Sequence, residues 1–361
     1  MVKLIGFAGA VSIVSYLAVL VIRYFAERHA ILDVPNERSS HADSVPRGGG
    51  LAIVILTLGG IWPYAISSPF IERSSLLAYT IGAGLIVMIS WLDDLRSQPN
   101  WIRFIIHSVA ALLALYAFGY FPISIVLNAN PFVARCLGLI ITFFWIVGLT
   151  NAYNFMDGID GIAGGQAVVA GFCWAAAGAF SQKPLILVFG LLLGASSFGF
   201  LFHNWSPARI FMGDVGSAFL GYSFAVLPLI FISHSNPHQV GLGLVCAAIL
   251  PVWPFVFDST FTLLRRLRLG ENVFSAHRSH LYQRLVIVGY SHPIVSSLYT
   301  GLALVGAFLS LGRILGFRNI SVTSAVAFPL LCLALWGFVI RREHGKAGRL
   351  RSNPATYADP V

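Results

Sequence analysis

Long apolar stretches separated by short polar ones run from one end of the chain to the other. Eleven lie near residues 4–22, 48–66, 75–92, 102–120, 133–150, 163–181, 184–202, 216–233, 239–263, 294–312 and 323–340. A helix needs about 20 apolar residues to cross a hydrocarbon core roughly 30 Å thick, and these runs supply that length. The pattern predicts an all-α, polytopic transmembrane helix bundle of about 11 spans, one integral-membrane domain over residues 1–361. The first run is too long, and lacks a small-residue cleavage site, to be read as a removable leader.

Composition agrees: 57% of residues are hydrophobic and 10% charged, where soluble domains carry about 25% charged residues. The formal charge of +9 does not describe a nucleic-acid surface, because the bases are spread over loops with no soluble domain to present them. Their placement orients the chain instead. With loops assigned alternately to two sides, one side holds 17 of the 23 Lys and Arg. The positive-inside rule makes that side cytoplasmic, with the N-terminus outside and the C-terminus inside. The loops near 23–47, 93–101, 151–162, 203–216 and 264–293, and the tail 341–361, then face the cytoplasm. The four cysteines stand singly in predicted spans without metal spacing and are read as packing residues.

Thirteen of the fourteen acids fall on that same side, Glu72 being the exception. The positive-inside rule says almost nothing about acids, so the bias needs another cause. Every polar motif follows an odd-numbered span, and one site built from five loops accounts for it. The densest stretch is residues 151–165, with Asn151, Asn154, Asp157 and Asp160 at a three-residue step. On a helix that step carries four side chains up one broad face. Their oxygens suit a hard cation and a phosphate-bearing substrate. Asp93 and Asp94 close the third span, where adjacent carboxylates raise one another's pKa unless a cation or Arg intervenes.

The remaining three motifs point to anions. In Pro46-Arg47-Gly48-Gly49-Gly50 the glycines allow backbone N–H groups to approach a phosphate, or else merely allow tight helix packing. Arg38, His41 and Arg47 beside them favour phosphate. Residues 203–217 pack an amide, aromatic rings and a carboxylate together. His277 and His280 have no third metal ligand nearby, so with Arg278 they suit phosphate better than a metal. Asp258, inside the ninth span, is read as the structural partner of a nearby base. No internal repeat of the transporter kind is found.

These five stretches, in this order, resemble the polyprenyl-phosphate N-acetylhexosamine-1-phosphate transferase family, over nearly the whole chain. Asn-Ala-x-Asn-x-x-Asp-Gly-x-Asp-Gly at 151–161 and Phe-Met-Gly-Asp-x-Gly-Ser at 211–217 are its most specific signatures. The resemblance implies a UDP-linked amino sugar as donor, undecaprenyl phosphate as acceptor, UMP as leaving product, and Mg2+, with Mn2+ as a substitute. It implies Asn154 and Asp214 as magnesium ligands, Asp160 and Asn204 as uridine contacts, and Phe211 as the ring stacking on uracil. Asp93 and Asp94 match the pair assigned to catalysis or acceptor activation, and Asp157 the acid beside the pyrophosphate. Asn151, Arg38, His41, Arg47, His277, Arg278 and His280 complete the expected substrate contacts. The family's histidine motif usually reads His-x-His-His, and here Ser279 replaces its middle histidine. Nothing resembles the extra elements of a peptide-bearing donor, so the fit is better to the O-antigen-initiating branch. A homodimer is compatible with this reading.

The chemistry implied is attack of the lipid phosphate on the β-phosphorus of the UDP-sugar. A phosphate monoester has a second pKa near 6, so the acceptor is largely dianionic at pH 7 and leaves a base little proton to remove. Single displacement is therefore expected, with Asp93 orienting the acceptor and Asp94 supporting the loop. Two other classes compete. An intramembrane prenyltransferase wants two Asp-rich motifs, and Asp93-Asp94-Leu-Arg-Ser97 lacks the later acid of an Asp-Asp-x-x-Asp motif. A secondary transporter needs ionisable groups near the midplane, where Asp258 stands alone.

Overall fold

The computed structural model describes residues 2–33, 44–68, 72–122, 130–235, 242–273, 275 and 277–352. All eleven apolar runs fall on helices: α1 (Val2–Arg28), α2 (Gly50–Ser67), α3 (Arg73–Leu95), α4 (Asn100–Phe118), α5 (Pro131–Phe155), α6 (Ile162–Phe180), α7 (Pro184–Asn204), α8 (Asp214–Ser233), α9 (Leu242–Ile249) with α10 (Trp253–Arg268), α12 (His292–Ile314) and α13 (Arg318–Ser352). Among the described residues ten segments are long and apolar enough to cross a membrane, and the eleventh run lies within α13. A short helix, α11 (Leu281–Val288), stands between α10 and α12. The first loop holds a two-stranded antiparallel ladder, β1 (Leu32–Asp33) with β2 (Val45–Pro46). The chain is a multi-pass, all-α membrane protein.

The bundle is organised around α8. Its residues from Val215 to Phe231 are buried without a break, and α2, α3, α5 and α6 all pack on it. A helix apolar on every side belongs in the middle of a membrane protein. The Tyr79 hydroxyl, 2.8 Å from Ser223 Oγ, ties α3 to it, and Trp145 Nε1 donates to Ala225 O at 3.0 Å from α5.

Between helices in lipid there is little hydrophobic drive, so close backbone approach supplies the packing. The α6–α7 pair uses Gly171 against Gly190 and Gly194, whose spacing is the Gly-x-x-x-Gly of membrane helix pairs. Helix α1 joins α7 through Ser15 Oγ donating to Ser196 O at 2.6 Å and Ser12 Oγ to Ala195 O at 3.0 Å.

The ninth run is not one continuous helix. Pro251 and Pro254 remove backbone donors, and the chain passes through a 3₁₀ turn at Leu250–Val252. Neighbours take up the polar groups this exposes: Gln166 Nε2 donates to Pro251 O at 2.5 Å, and Trp253 Nε1 to Leu302 O at 2.9 Å. The four cysteines are free, and Cys173 and Cys332 are buried among apolar neighbours.

A Cβ added at Gly171 would strike the Gly194 backbone, whereas one at Gly59 meets nothing within 4 Å. Gly171→Ala is therefore expected to destabilise the bundle by about 1–3 kcal/mol through overpacking. Gly59→Ala should be neutral or slightly stabilising. Thermal unfolding midpoints of both variants in detergent check this.

Candidate active site

Helix α3 runs to Leu95, which places Asp93 and Asp94 on its last turn. Asp94 is buried and points at the start of α8. Its Oδ1 accepts from Asp214 N at 3.2 Å and its Oδ2 from Val215 N at 3.3 Å. The first N–H groups of a helix have no partner of their own, and Gly213 before α8 has no side chain to cap them. Asp94 is thus the cap of the central helix, supplied from another span. Gly213 fits this junction because its φ is +77°, and a Cβ there would lie 2.9 Å from Asp94 Oδ2.

Asp93 faces α4. Its Oδ2 accepts from Arg103 Nη1 at 2.8 Å and its Oδ1 from Gln98 N at 2.5 Å. The same Nη1 is 3.9 Å from Asp214 Oδ2, so Arg103 spans the two acids. On the other side Arg47 Nη1 is 3.8 Å from Asp94 Oδ1, while Arg47 Nε is buried with no hydrogen-bond partner. Arg47 keeps donors to spend on an anion.

The 46–50 segment is zipped to 211–212 by its backbone. Phe211 N donates to Pro46 O at 2.8 Å, Gly49 N to Phe211 O at 3.0 Å, and Gly50 N to Met212 O at 2.9 Å. Gly50 lies directly on Gly216. The glycines here serve close packing: the N–H groups of Gly49 and Gly50 are committed to carbonyls, not offered to a phosphate. Arg38 and His41 lie outside the described residues.

Helix α5 ends at Phe155, so only Asn151 and Asn154 sit on a helical face. Asp157 and Asp160 occupy the turn beyond it, where Gly161 takes a φ of +77° to start α6. The three-residue step is therefore not one continuous helical stripe. Asn154 Nδ2 donates to Ser217 Oγ at 3.2 Å, which leaves its carbonyl oxygen as the atom to offer a cation. Asn151 Nδ2 donates to Val147 O at 2.7 Å and lies 3.2 Å from His107 Nδ1.

Burial pushes the Asp157 carboxyl up to about 8, with the Asp214, Asp94 and Asp160 carboxylates adding to it. Carboxylates converging without enough positive charge create a demand for a cation. Among the described residues no three His, Cys, Asp or Glu side chains form a closed metal cage. Asp160 is different: burial alone would raise it, but His292, Ala208 N–H and Ser206 together hold it below the usual carboxylate value. Its Oδ1 lies 3.4 Å from His292 Nδ1.

Asn204 is buried, with Oδ1 accepting from Gly161 N and Nδ2 donating to Ile210 O, both at 3.1 Å. It is the strut joining the 158–161 turn to the 205–211 loop. Phe211 lies on that loop beside Arg47.

The histidine motif is organised by Asp258. This buried acid accepts from Leu281 N at 2.8 Å, Tyr282 N at 3.1 Å and Tyr299 Oη at 2.6 Å, and lies 3.2 Å from His280 Nδ1. It caps α11 as Asp94 caps α8, which is the structural role expected of it. Ser279 Oγ lies 2.9 Å from His277 Nδ1 and orients that ring. Burial, followed by His280 and Arg266, lowers His277 to about 4, so it is neutral near pH 7. Arg278 is half-buried between the two rings in sequence. Tyr282 Oη donates to Phe155 O at 3.1 Å, which brings α11 to the end of α5.

An open groove of about 350 Å³ runs between α5 and α10. Phe144, Trp145 and Leu263 line its apolar part, and Asn151, Arg266, His277 and His280 its polar part. It reaches Phe155, two residues before Asp157.

Residues 76–232 match the model of glycosyl transferase family 4. A probable undecaprenyl-phosphate N-acetylglucosaminyl 1-phosphate transferase of Bacillus subtilis (strain 168) is 35% identical over 285 residues, 78% of this chain and 77% of that relative. The chain belongs to the polyprenyl-phosphate N-acetylhexosamine-1-phosphate transferase family. This transferase is also 27% identical over 365 residues to a decaprenyl-phosphate N-acetylglucosaminephosphotransferase of Mycobacterium tuberculosis (strain ATCC 25618 / H37Rv), covering 92% of the chain and 86% of the relative. An undecaprenyl-phosphate alpha-N-acetylglucosaminyl 1-phosphate transferase of Escherichia coli (strain K12) is 26% identical over 339 residues, 89% of the chain and 86% of the relative. Membership displaces the prenyltransferase and transporter readings.

The transferase brings Asp93, Asp94, Asp157, Asp214, Asn154 and Arg47 to one end of the bundle. Arg103, Ser217 and His292 join them, and sequence reasoning did not single these out. The Asp157 proton gives a pH test. An ordinary Asp titrates near 3.8 and this one near 8, so the folded chain holds the proton more tightly than the unfolded one. Its contribution to stability is complete below the lower value and is lost as pH rises through the higher. In the absence of divalent cations the thermal midpoint should fall across this window, and Asp157→Asn should flatten the fall. Equal slopes in both proteins would remove the assignment.

Proposed function

We propose that this transferase moves N-acetylhexosamine 1-phosphate from a UDP-sugar to undecaprenyl phosphate at the cytoplasmic face of the inner membrane. UMP leaves, and undecaprenyl-diphosphate-sugar is the first lipid intermediate of O-antigen or another envelope polysaccharide. The carrying observation is that Asp94, Asp157 and Asp214, from three separate stretches, converge with Arg47 and Arg103, while the α5–α10 groove reaches Phe155, two residues before Asp157. The names of the relatives support N-acetylglucosamine as the sugar.

Asp214 and the carbonyl oxygen of Asn154 would hold Mg2+, which when bound supplies charge neutralisation on the diphosphate oxygens. Phosphoryl transfer is mainly positioning and charge stabilisation, so the protein's part is to fix both substrates. Arg47 and Arg103 stand on either side of the acids, where they can bind phosphate oxygens as charge-assisted donors. Asp93 holds Arg103 at 2.8 Å and so aims it. Asp94, with two backbone N–H groups on its oxygens, is committed to the helix start and is poorly placed as a nucleophile. The reading is direct attack by the acceptor phosphate, without a phosphoryl-aspartate intermediate, supported by the dianionic charge such a phosphate carries near pH 7. The α5–α10 groove takes the first prenyl units, with its polar end holding the acceptor phosphate near Asp157.

Purified protein offered a panel of UDP-amino sugars with undecaprenyl phosphate and Mg2+ should release UMP and form one lipid product, identified by mass spectrometry. Asp214→Ala should abolish turnover, and undiminished activity would remove its metal role. Arg103→Ala should lower kcat on the order of 10²-fold, as losing one preorganised donor does elsewhere. Exchange of labelled UMP into UDP-sugar without lipid would refute direct transfer.

A further inference from the structure

Helix α11 carries no acid of the site, yet it holds the histidine motif in place, and α13 grips it from the other side. Glu343 on α13 accepts from Arg284 on α11 through both carboxylate oxygens, Nε to Oε1 at 2.6 Å and Nη2 to Oε2. The residue before Glu343, Arg342, lies over the Tyr290 ring, 5.7 Å from its centre, just where α11 gives way to α12. An exposed ion pair is worth little. This one is bidentate, and the Arg284 side chain is only 12% exposed, conditions under which such a pair fixes geometry.

The force has a short path to travel. Asp258 caps the first residues of α11, His280 is its N-cap residue, and Tyr282 ties it to Phe155 O beside Asp157. Moving α11 moves His280 and the end of the α5–α10 groove together. The donor-side groups Asp160 and Asn204 are fastened instead to the 205–211 loop and to α12.

We propose that Arg284 and Glu343 are positioning residues: the last helix clamps α11 and thereby sets where the polyprenyl phosphate headgroup is held. This rests on the transfer reaction proposed above and on the groove as the acceptor's site. Releasing the clamp should therefore weaken use of the lipid and leave use of the nucleotide sugar unchanged.

The test uses full-length protein in detergent with Glu343→Gln, Arg284→Gln and the charge-swapped pair Arg284→Glu with Glu343→Arg. Hydrogen exchange at residues 281–288 should quicken in both single variants, with residues 214–220 unaffected. KM for undecaprenyl phosphate should rise roughly tenfold, the scale of a slightly misplaced binding group. KM for the UDP-sugar should hold, and the swapped pair should recover most of the loss. Unchanged exchange at 281–288 would show there is no clamp. Faster exchange with unchanged acceptor KM, or with both KM values rising together, would overturn the positioning role. If the wild-type protein releases no UMP from any donor, it is the transfer reaction that fails, and the exchange result still decides the clamp.

Discussion

A carboxylate from one helix closing the open end of another is the contact on which this bundle depends. In lipid the first N–H groups of a helix have no water to turn to, and each one left bare costs several kcal/mol. The central helix α8 begins at Gly213-Asp214 with no cap of its own, and Asp94 reaches across from α3 to supply two acceptors. Burying a charge is equally costly on its own. Here the two liabilities cancel, because an anion at a helix N-terminus meets both the free donors and the positive end of the dipole. The opposite end of α8 repeats the logic with the sign reversed: Lys183 Nζ donates to Phe231 O at 2.8 Å and lies 4.3 Å from the Phe231 ring centre.

The same device recurs at α11, where Asp258 is the borrowed cap. Its consequence is functional. Capping from a distance forces helix ends from different parts of the chain to meet, and helix starts are where backbone donors and partial positive charge gather. The acids that make the junctions therefore also make the site. Asp94 is consumed by this duty. Asp214, on the first turn of the helix that Asp94 caps, is held beside it with Arg103 at 3.9 Å. Division of labour among neighbouring carboxylates thus follows from which of them the fold has already used.

Much of the architecture was legible because membrane spans announce themselves by length and apolarity, and because parity sends every second loop to one side. That alone predicted that Asp93–Asp94, Asp157, Asp214 and Arg47 would meet. What stayed hidden was pairing. Arg103 falls at the start of the fourth apolar run, where a lone base reads as an orientation signal, and only α3–α4 contact reveals it between Asp93 and Asp214. His292 likewise reads as a helix start until Asp160 is seen 3.4 Å away. The Gly48–Gly50 run was ambiguous for a physical reason: the same lack of a Cβ serves an anion and a neighbouring backbone alike. Backbone partners at 211–212 decided it, and no local pattern encodes them.

Ser279 shows how a departure from a motif can be compensated by geometry. The family's middle histidine would add a third ring to His277 and His280, whose centres are already 5.1 Å apart. Here a hydroxyl 2.9 Å from His277 Nδ1 fixes that ring's orientation instead, and burial keeps it neutral. A neutral imidazole held in one orientation offers a directed hydrogen bond without a charge that would also attract the nearby acids. The guanidinium groups nearest the site are Arg47 and Arg103 beside the acids and Arg266 in the groove. Ser279 thus puts a hydroxyl that acts on its neighbour's orientation where an imidazole would stand, while the position of the motif depends on α11 and what holds it.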